Sequence, residues 1–458
     1  MATFTRRSVL RSSVALAAAG TFGRPYIANA QAKTATVWWV QGFFPEEDGA
    51  FKTLAASYEK TSGNKLDYSI IPFAPMRQKI ISAITSGVVP DLMYATPPEV
   101  VPEQAWAGKL VDVTDVIDTQ KSKFLPAAIN SAYFYNAQEK KHSYYGVPFE
   151  GGVVPFHVWQ DLVEEAGAKM SDVPNKWDAF IDFFPPLEKI LRGKGHRHLY
   201  ATAFVVSTIG NDPLNTFHAF LIAYGGAGLV TPDGKLHADD PQVQEAVIKA
   251  LDKLTSYFKD GHIPPGSVNW NDADDNNAFH AKLAIMDYDG TLSTELAMIH
   301  DEKAYKNMVT MGRPLMNDGK QQPSIYGVNN AIIPTGAKNV EVAKDFMKYA
   351  IQPDVDNTYL KGALCRWLPV YGETAKNDPF WTDPADPHRA PYVKMGIDEP
   401  TIPEYFVYNP AYAQCRTEHI FNVAWSDVVS NGMSTKDAAA KALKRATEIF
   451  AKYPIQQT

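Results

Sequence analysis

Residues 65–95 read "KLDYSIIPFAPMRQKIISAITSGVVPDLMYA", and this run decides the fold class. Its opening, "KLDYSIIPF", is β-branched and aromatic and reads as a strand. In "PMRQKIISAITSG" the apolar residues Met76, Ile80, Ile81, Ala83 and Ile84 recur at helical spacing, which predicts a helix with one face turned inward. "PDLMYA" then supplies another strand. Upstream, "TATVWWVQG" (34–42) is a strand that ends in Gly. It is followed by "GAFKTLAASYEKTSG" (49–63), where Phe51, Leu54, Ala55 and Tyr58 share a helical face that stops at Gly63. Three strands separated by two helices predict a parallel α/β unit with right-handed crossovers.

A second unit begins near "YYGVPFEGGVVPFHVW" (144–159), where Gly and Pro punctuate short apolar runs. Further on, Asp233-Gly234 marks a tight turn. Asp240-Pro241 starts a helix that aligns Val243, Ala246, Val247, Ala250, Leu251, Leu254 and Phe258 and ends at Gly261. The last helix opens with a capping box, Ser434 to Asp437. No internal repeat or low-complexity linker separates these pieces, so movement between them falls to short hinges.

The first thirty residues are of another kind. "TRRSVLR" (5–11), a mild apolar run and Ala-Asn-Ala at 28–30 read as a twin-arginine signal peptide cleaved after Ala30. Its apolar core is too short to span a bilayer. What remains is an exported chain of 428 residues, expected in the periplasm and large enough for two packed lobes. The whole chain carries 44 Lys and Arg against 51 Asp and Glu, a net charge of −7. Without Arg6, Arg7, Arg11 and Arg24 the balance is 40 against 51, or −11. That excess argues against nucleic acid or anionic lipid as a partner. The 22 Tyr, 23 Phe and 9 Trp, beside so little basic charge, point to flat, uncharged ligands such as sugar rings. Cys365 and Cys415 form a possible disulfide in an exported chain, with two buried thiols as the alternative.

The densest polar stretch, "NWNDADDNNAFHAKLAIMDYDG" (269–290), invites a calcium-loop reading. Counted from Asp272, the sixth position is Asn277 rather than Gly and the twelfth is Leu283 rather than Glu, so the EF-hand pattern fails and no metal is expected. Asp272, Asp274 and Asp275 are better suited to capping and charging the helix that follows. That helix leads into the strand "AIMDYDG". Ligands in open α/β sheets collect at the carboxyl ends of strands, which makes Tyr288 and Asp289 candidate contacts. Catalytic patterns are scarce: the chain has no HExxH, GxSxG or CxxC. "HRH" (196–198) reads as a solvated basic turn, and "GGAGL" (225–229) lacks the third glycine of a dinucleotide loop. No cofactor and no catalytic residue is expected, although so many acids leave a carboxylate-pair glycosidase open.

Seven segments carry a resemblance: "MRQKIISAITSGVVPDLMYA", "GKLVDVTDVID", "YYGVPFEGGVVPFHVWQDLVEEAGA", "PNKWDAFIDFF", "AFHAKLAIMDYDG", "YGVNNAIIPTGAKNVEVAKDFMKYAI" and "CRWLPV". In this order, over most of the chain, they resemble the bacterial extracellular solute-binding proteins of the sugar type, family 1, the group that includes maltose-binding protein. The resemblance implies the two-lobed periplasmic binding protein fold of the α/β class, with two parallel or mixed sheets flanked by helices and one solute in the cleft. Lobe one would be 33–148 plus 330–366, and lobe two 151–326 plus 369–458. Crossings then fall near Pro148 to Gly151, Tyr326 to Asn330 and Cys365 to Pro369, each a Gly- or Pro-marked junction. The resemblance also implies the substrate-binding component of an ABC importer and not an enzyme. It would be a monomer that captures a sugar, oligosaccharide or polyol and, once closed, is recognised by a membrane permease.

Candidate ligand residues sit at strand ends and crossings. Trp39, Gln41 and Phe43 follow from the first strand, Tyr94 and Thr96 from the third. Glu150 at the first crossing would accept paired hydroxyl hydrogen bonds, and Asn329 and Asn330 at the second offer donors and acceptors. Arg366, beside Trp367, presents a planar fork for a carboxylate or phosphate. Many relatives carry a Trp directly after the Gly of this "DYDG" motif, where this chain has "DGTLS". Ring stacking would therefore fall to Trp39, Phe43, Phe204, Trp270 or Trp367. Two alternatives stand beside the sugar reading: a charged solute, such as a phosphorylated polyol at Arg366 or a polyamine held by acids, and a polysaccharide-acting enzyme on the same scaffold.

Overall fold

A computed structural model describes residues 33–94 and 98–455; the expected export signal lies outside the described residues. The strands are β1 (Thr34–Val40), β2 (Lys65–Ile71), β3 (Leu92–Tyr94), β4 (Tyr133–Asn136), β5 (Lys141–Tyr144), β6 (Val147–Gly152), β7 (Phe156–Trp159), β8 (Tyr200–Thr202), β9 (Ala284–Tyr288), β10 (Met308–Met311), β11 (Ser324–Ile332) and β12 (Thr401–Pro403). In the first sheet β1 lies between β2 and β3 and is parallel to both. The helices Pro45–Ser62 and Phe73–Ser86 make the two expected crossovers. The former buries Phe51, Leu54, Ala55 and Tyr58 and closes at Gly63, whose φ of 76° is a left-handed turn that glycine adopts without a Cβ clash.

Beyond β3 the sheet becomes mixed. β11 runs antiparallel to β3 and β6 and parallel to β12, giving the order β12-β11-β3-β1-β2 with β6 beside β11. β4 and β5 form a separate hairpin. The second sheet has the order β10-β7-β9-β8, and of its pairs β8–β9 is parallel while β7 is antiparallel to both neighbours.

Each sheet has its own core. Val37, Phe51, Leu92, Phe149 and Phe346 pack around the first; Phe156, Val158, Trp177, Phe220, Ile285 and Trp425 pack around the second. Each such side chain contributes about 1.5–3 kcal/mol by leaving water. The second core is covered by Asp212–Ala223, Pro241–Lys259 and Thr435–Phe450. Asp240 caps the middle one by accepting from Gln242 N at 2.7 Å and Val243 N at 3.3 Å. After Pro369 the chain serves both cores: Tyr371, Trp381 and Tyr392 pack in the first, Tyr405, Tyr412 and Trp425 in the second. Among the described residues no helix is long and apolar enough to cross a membrane.

The possible disulfide is not formed. Cys365 is buried in the first core and Cys415 in the second, both as free thiols, so packing in different cores keeps them apart. Burial pushes both thiols up, that of Cys415 to about 12.

Three segments meet where the sheets adjoin. Gly151 N–H donates to Leu368 O at 3.0 Å, Leu368 N–H donates back to Gly151 O at 2.7 Å, and Gly151 faces Val328 in the β6–β11 ladder. A Cβ on Gly151 would fall 2.1 Å from the Tyr326 hydroxyl oxygen, so only glycine fits. That hydroxyl donates to Pro369 O at 3.2 Å.

Candidate functional site

A cavity of about 450 Å³ opens at the carboxyl ends of β1, β3 and β9, beside the three joined segments. Ten of the expected contacts line it: Trp39, Gln41, Phe43, Tyr94, Glu150, Tyr288, Asp289, Asn329, Arg366 and Trp367. Thr96 lies outside the described residues. Three expected contacts are elsewhere. Phe204 is a core ring 6.2 Å from Phe220. Trp270 packs half-buried against Ala203, Ala278 and Ala284. Asn330 donates from Nδ2 to Ser131 O at 3.0 Å inside lobe one; neighbours on a strand point to opposite faces, so Asn329 and Asn330 do not share the cavity.

The lobe-one wall is ring-rich, but its rings are not equally free. Trp39 is 2 % exposed and stacked between Phe51 and Tyr94, with centroids at 4.1 and 3.8 Å. Its faces are therefore occupied by the core. Phe43 is 51 % exposed, Trp367 is half-buried, and Phe73, which the sequence did not single out, is 58 % exposed. The Arg366 guanidinium lies 5.5 Å from the Phe43 centroid and 4.7 Å from that of Trp367, and its Nε is 3.3 Å from Glu47 Oε1. Glu47 also accepts from Phe43 N at 2.9 Å and Phe44 N at 3.1 Å. The guanidinium is thus stacked beside two rings and held near Glu47 through Nε, which makes an ion pair but no hydrogen bond. Glu150, 2 % exposed, accepts from Asn329 Nδ2 at 3.1 Å while its Oε1 has no partner. Burial, with Glu47 adding to it, pushes the Glu150 carboxyl up to about 7.

The lobe-two wall is made of carboxylates and amides. Asp289 accepts from Asn276 Nδ2 at 2.5 Å, Ser293 Oγ at 3.1 Å and Thr294 Oγ1 at 3.1 Å. Asp272 does not cap the helix that follows it, Asp274–His280. It accepts from Asn211 N at 2.6 Å and Asp212 N at 3.2 Å, and so closes the start of the neighbouring helix, Asp212–Ala223. Asp274 does serve its own helix start, accepting from Asn271 N at 2.8 Å. Asp275 turns inward and is buried. Burial, reinforced by neighbouring carboxylates, pushes Asp212 and Asp275 well above the usual carboxylate range and Asp287 up to about 7. His218, whose Nε2 is 2.5 Å from the Tyr412 hydroxyl, is drawn down to about 3 by burial and is neutral. Arg313 donates to Pro323 O at 2.7 Å and to the Tyr288 hydroxyl at 3.0 Å.

Behind this wall His157 Nδ1 lies 2.5 Å from Glu295 Oε1, and its Nε2 lies 3.1 Å from Asp289 O. Both ring nitrogens face acceptors. Burial opposes the imidazole's charge, but Glu295 overcomes it and lifts His157 to about 9. Burial likewise opposes the Glu295 charge, and His157 outweighs it, drawing the carboxyl down to about 2. Thr310 donates to the same Glu295 oxygen.

The lobes also touch along one side of the cavity. Arg77 Nη1 lies 2.9 Å from Glu99 Oε1 and its Nη2 donates to Thr417 Oγ1 at 2.6 Å. Arg416 Nε lies 3.9 Å from Glu99 Oε2 and its Nη1 lies 3.2 Å from Glu404 Oε1. Arg77 and Glu99 flank β3; Thr417 and Arg416 belong to the helix Ala411–Thr417, whose apolar face is in the second core.

Phe73, Asp212, Asn215, His218 and Arg313 line the cavity without having been foreseen. Of these, Asp212 alone had a legible signal, the helix start at Asn211-Asp212-Pro213.

The family profile of the bacterial extracellular solute-binding proteins matches residues 53–388. No curated protein matches the chain. Solved structures share the fold at low identity. The maltose-bound MalE3 of T. maritima has a TM-score of 0.71 at 16 % identity, over 90 % of this chain and 99 % of that one. The GacH receptor of Streptomyces glaucescens, solved unliganded and with acarbose, gives 0.72 at 19 %, over 92 % and 100 %. A solute-binding protein of an ABC transporter from Agrobacterium radiobacter, in complex with ribitol, gives 0.68 at 18 %, over 91 % and 98 %.

Proposed function

Because the chain belongs to the bacterial extracellular solute-binding proteins, we propose that it is the substrate-binding component of an ABC importer and that its solute is a neutral sugar, oligosaccharide or polyol. The observation that carries this reading is the cavity itself: about 450 Å³, with exposed ring faces on one wall and carboxylates and amides on the other. That size is usual for small-molecule sites, and the lining suits a solute with flat apolar faces and a polar rim. Phe43, Phe73 and Trp367 would stack on it, while Asp289, Asn215 and Glu150 would take its hydroxyls. Gly151, Val328 and Leu368 would serve as the hinge about which lobes near 33–148 plus 330–366 and 151–326 close, with 369–403 going to the first and the chain from Tyr405 to the second, and the membrane permease would recognise the closed monomer. A phosphorylated solute would have to compete with Glu47 for the Arg366 guanidinium.

Titration calorimetry of the chain from Gln31 onward against maltose, laminaribiose, ribitol and related solutes tests this. The expected result is saturable binding at one site per chain with the solute recovered unchanged. Progressive release of reducing sugar from an oligosaccharide would point to an enzyme, and silence across the panel would overturn the sugar and polyol reading. Residues 1–30 would carry the chain to the periplasm by the twin-arginine route. Replacing Arg6 and Arg7 with Lys should leave precursor in the cytoplasm, and normal export of that variant would contradict the assignment.

A further inference from the structure

We infer that the lobe-two wall of the cleft is a binding site for a hard divalent cation of calcium size, held by Asp212, Asp275 and Asp289. One carboxylate oxygen from each residue lies within 4.8 Å of the other two, and all three residues are buried. Points so spaced share a position no more than about 2.8 Å from each, close to calcium–oxygen distances of about 2.3–2.6 Å. The donors are carboxylate oxygens, with no imidazole or thiolate in the set, which suits calcium rather than zinc or copper. Magnesium would need the oxygens drawn closer.

Spacing alone assigns nothing in a chain with 51 acids. The further observation is Asp212, which is 7 % exposed and yet has an Oδ2 with no hydrogen-bond partner. Its Oδ1 takes Asn215 Nδ2 at 3.2 Å, and the residue faces both the cavity and the other two carboxylates. Asp287, fully buried with its own unpartnered Oδ2, adds a fourth carboxyl beside Asp275 and Asp289. Of the cations nearby, Arg366 is paired with Glu47, Arg416 with Glu99 and Glu404, and His157 with Glu295, while Arg313 on the cavity wall donates to the Tyr288 hydroxyl and Pro323 O. Buried charges are paired or coordinate metals, and among the described residues no cationic side chain makes an ion pair with Asp212, Asp275 or Asp289.

The Asp-rich stretch lacks calcium-loop spacing because the site is not a loop. Asp275 comes from a helix, Asp289 from the end of β9, and Asp212 from a helix start far upstream. Asp212 and Asp289 line the cavity, so the cation's remaining coordination positions open into the cleft, where solute hydroxyls would complete them. That last step rests on the solute reading above; the cation site does not.

Calcium chloride titrated calorimetrically into chelator-treated, solute-free protein should bind once per chain, with a dissociation constant on the order of 10⁻⁴–10⁻³ M, the range of extracellular calcium modules. It should also raise the melting temperature. Asp212→Asn and Asp275→Asn should each lose the calcium heat and the calcium-induced rise, at least tenfold in affinity, while melting at or above the wild-type temperature without calcium because repulsion is relieved. Asp274→Asn, outside the cluster, should bind calcium normally. Absence of a calcium heat, or an unchanged one in both cluster variants, would overturn the site. Binding of putrescine instead of calcium, lost in Asp212→Asn, would also overturn it in favour of an ammonium pocket. Calcium binding without any sugar response would leave the site standing and defeat the solute reading; a sugar response without calcium binding would do the reverse.

Discussion

The two walls of the cleft differ in what they leave unused. On the lobe-one side, Trp39 is held between Phe51 and Tyr94, and Arg366 is paired with Glu47. The groups still open there are ring faces, the Tyr94 hydroxyl, Arg366 Nε and one oxygen of Glu150. On the lobe-two side, carboxylates and amides crowd at helix starts and at the end of β9, and Asp212 keeps an oxygen without a partner. Ring faces thus lie on the lobe-one side and most of the hydrogen-bonding groups on the lobe-two side, with Glu150 the main exception. On the proposed function, a solute would gain both together only when the lobes meet around it, which would tie affinity to closure.

The comparison breaks most readily at the buried residues behind each wall. Trp39→Ala should cost about 3–5 kcal/mol of stability, the usual range for removing a core tryptophan. Glu295→Gln should cost a similar amount, about 3–5 kcal/mol, because it strands the buried His157 charge. Denaturant unfolding measures both, and losses under about 1 kcal/mol would show that neither wall is anchored as described. Trp367→Ala should behave oppositely: melting little changed, solute affinity weaker by about 1–3 kcal/mol, by analogy with base stacking on aromatic rings. That is a fivefold to hundredfold change in dissociation constant.

Glu150 sharpens the contrast through pH. Its carboxyl is raised from 4.5 to about 7 in the folded chain, so the protein holds this proton where the unfolded chain has released it. The stabilising contribution is whole below about pH 4.5 and is lost as pH rises through about 7, a change of about 3 kcal/mol. Glu150→Gln should gain on the wild type by that order between pH 4.5 and pH 8; a constant difference would contradict the burial argument. The smallest effect belongs to Arg77→Ala. It removes an exposed contact between the lobes, and should weaken solute binding by about 0.2–1 kcal/mol, less so in high salt.

Local structure was legible wherever periodicity and turn chemistry agreed. The helices closing at Gly63 and opening at Asp240, and the strands around "TATVWWVQG", needed nothing beyond their own residues. The mixed pairing of β11 was not legible, because β6 and β12 reach it from distant parts of the chain. The same holds for the cavity. Strand-end residues such as Tyr94 and Tyr288 could be named from position, whereas Asp272 misled: its best partners, Asn211 and Asp212, belong to another helix. Trp39 and Phe43 stand four residues apart and look equally suited to stacking; Phe51 and Tyr94 packing on Trp39 makes them unlike.

A solute that touches both walls at once would lose affinity when either wall is stripped, and one paired measurement tests this most directly. Calorimetric affinities of Trp367→Ala, on lobe one, and Asn215→Ala, on lobe two, should be taken for the same sugar or polyol, with melting temperatures recorded alongside. Both variants should lose at least about fivefold in affinity, roughly 1 kcal/mol, while melting within a few degrees of the wild type. If either wall can be stripped with affinity intact, the solute does not bridge the cleft and the two-wall account is wrong.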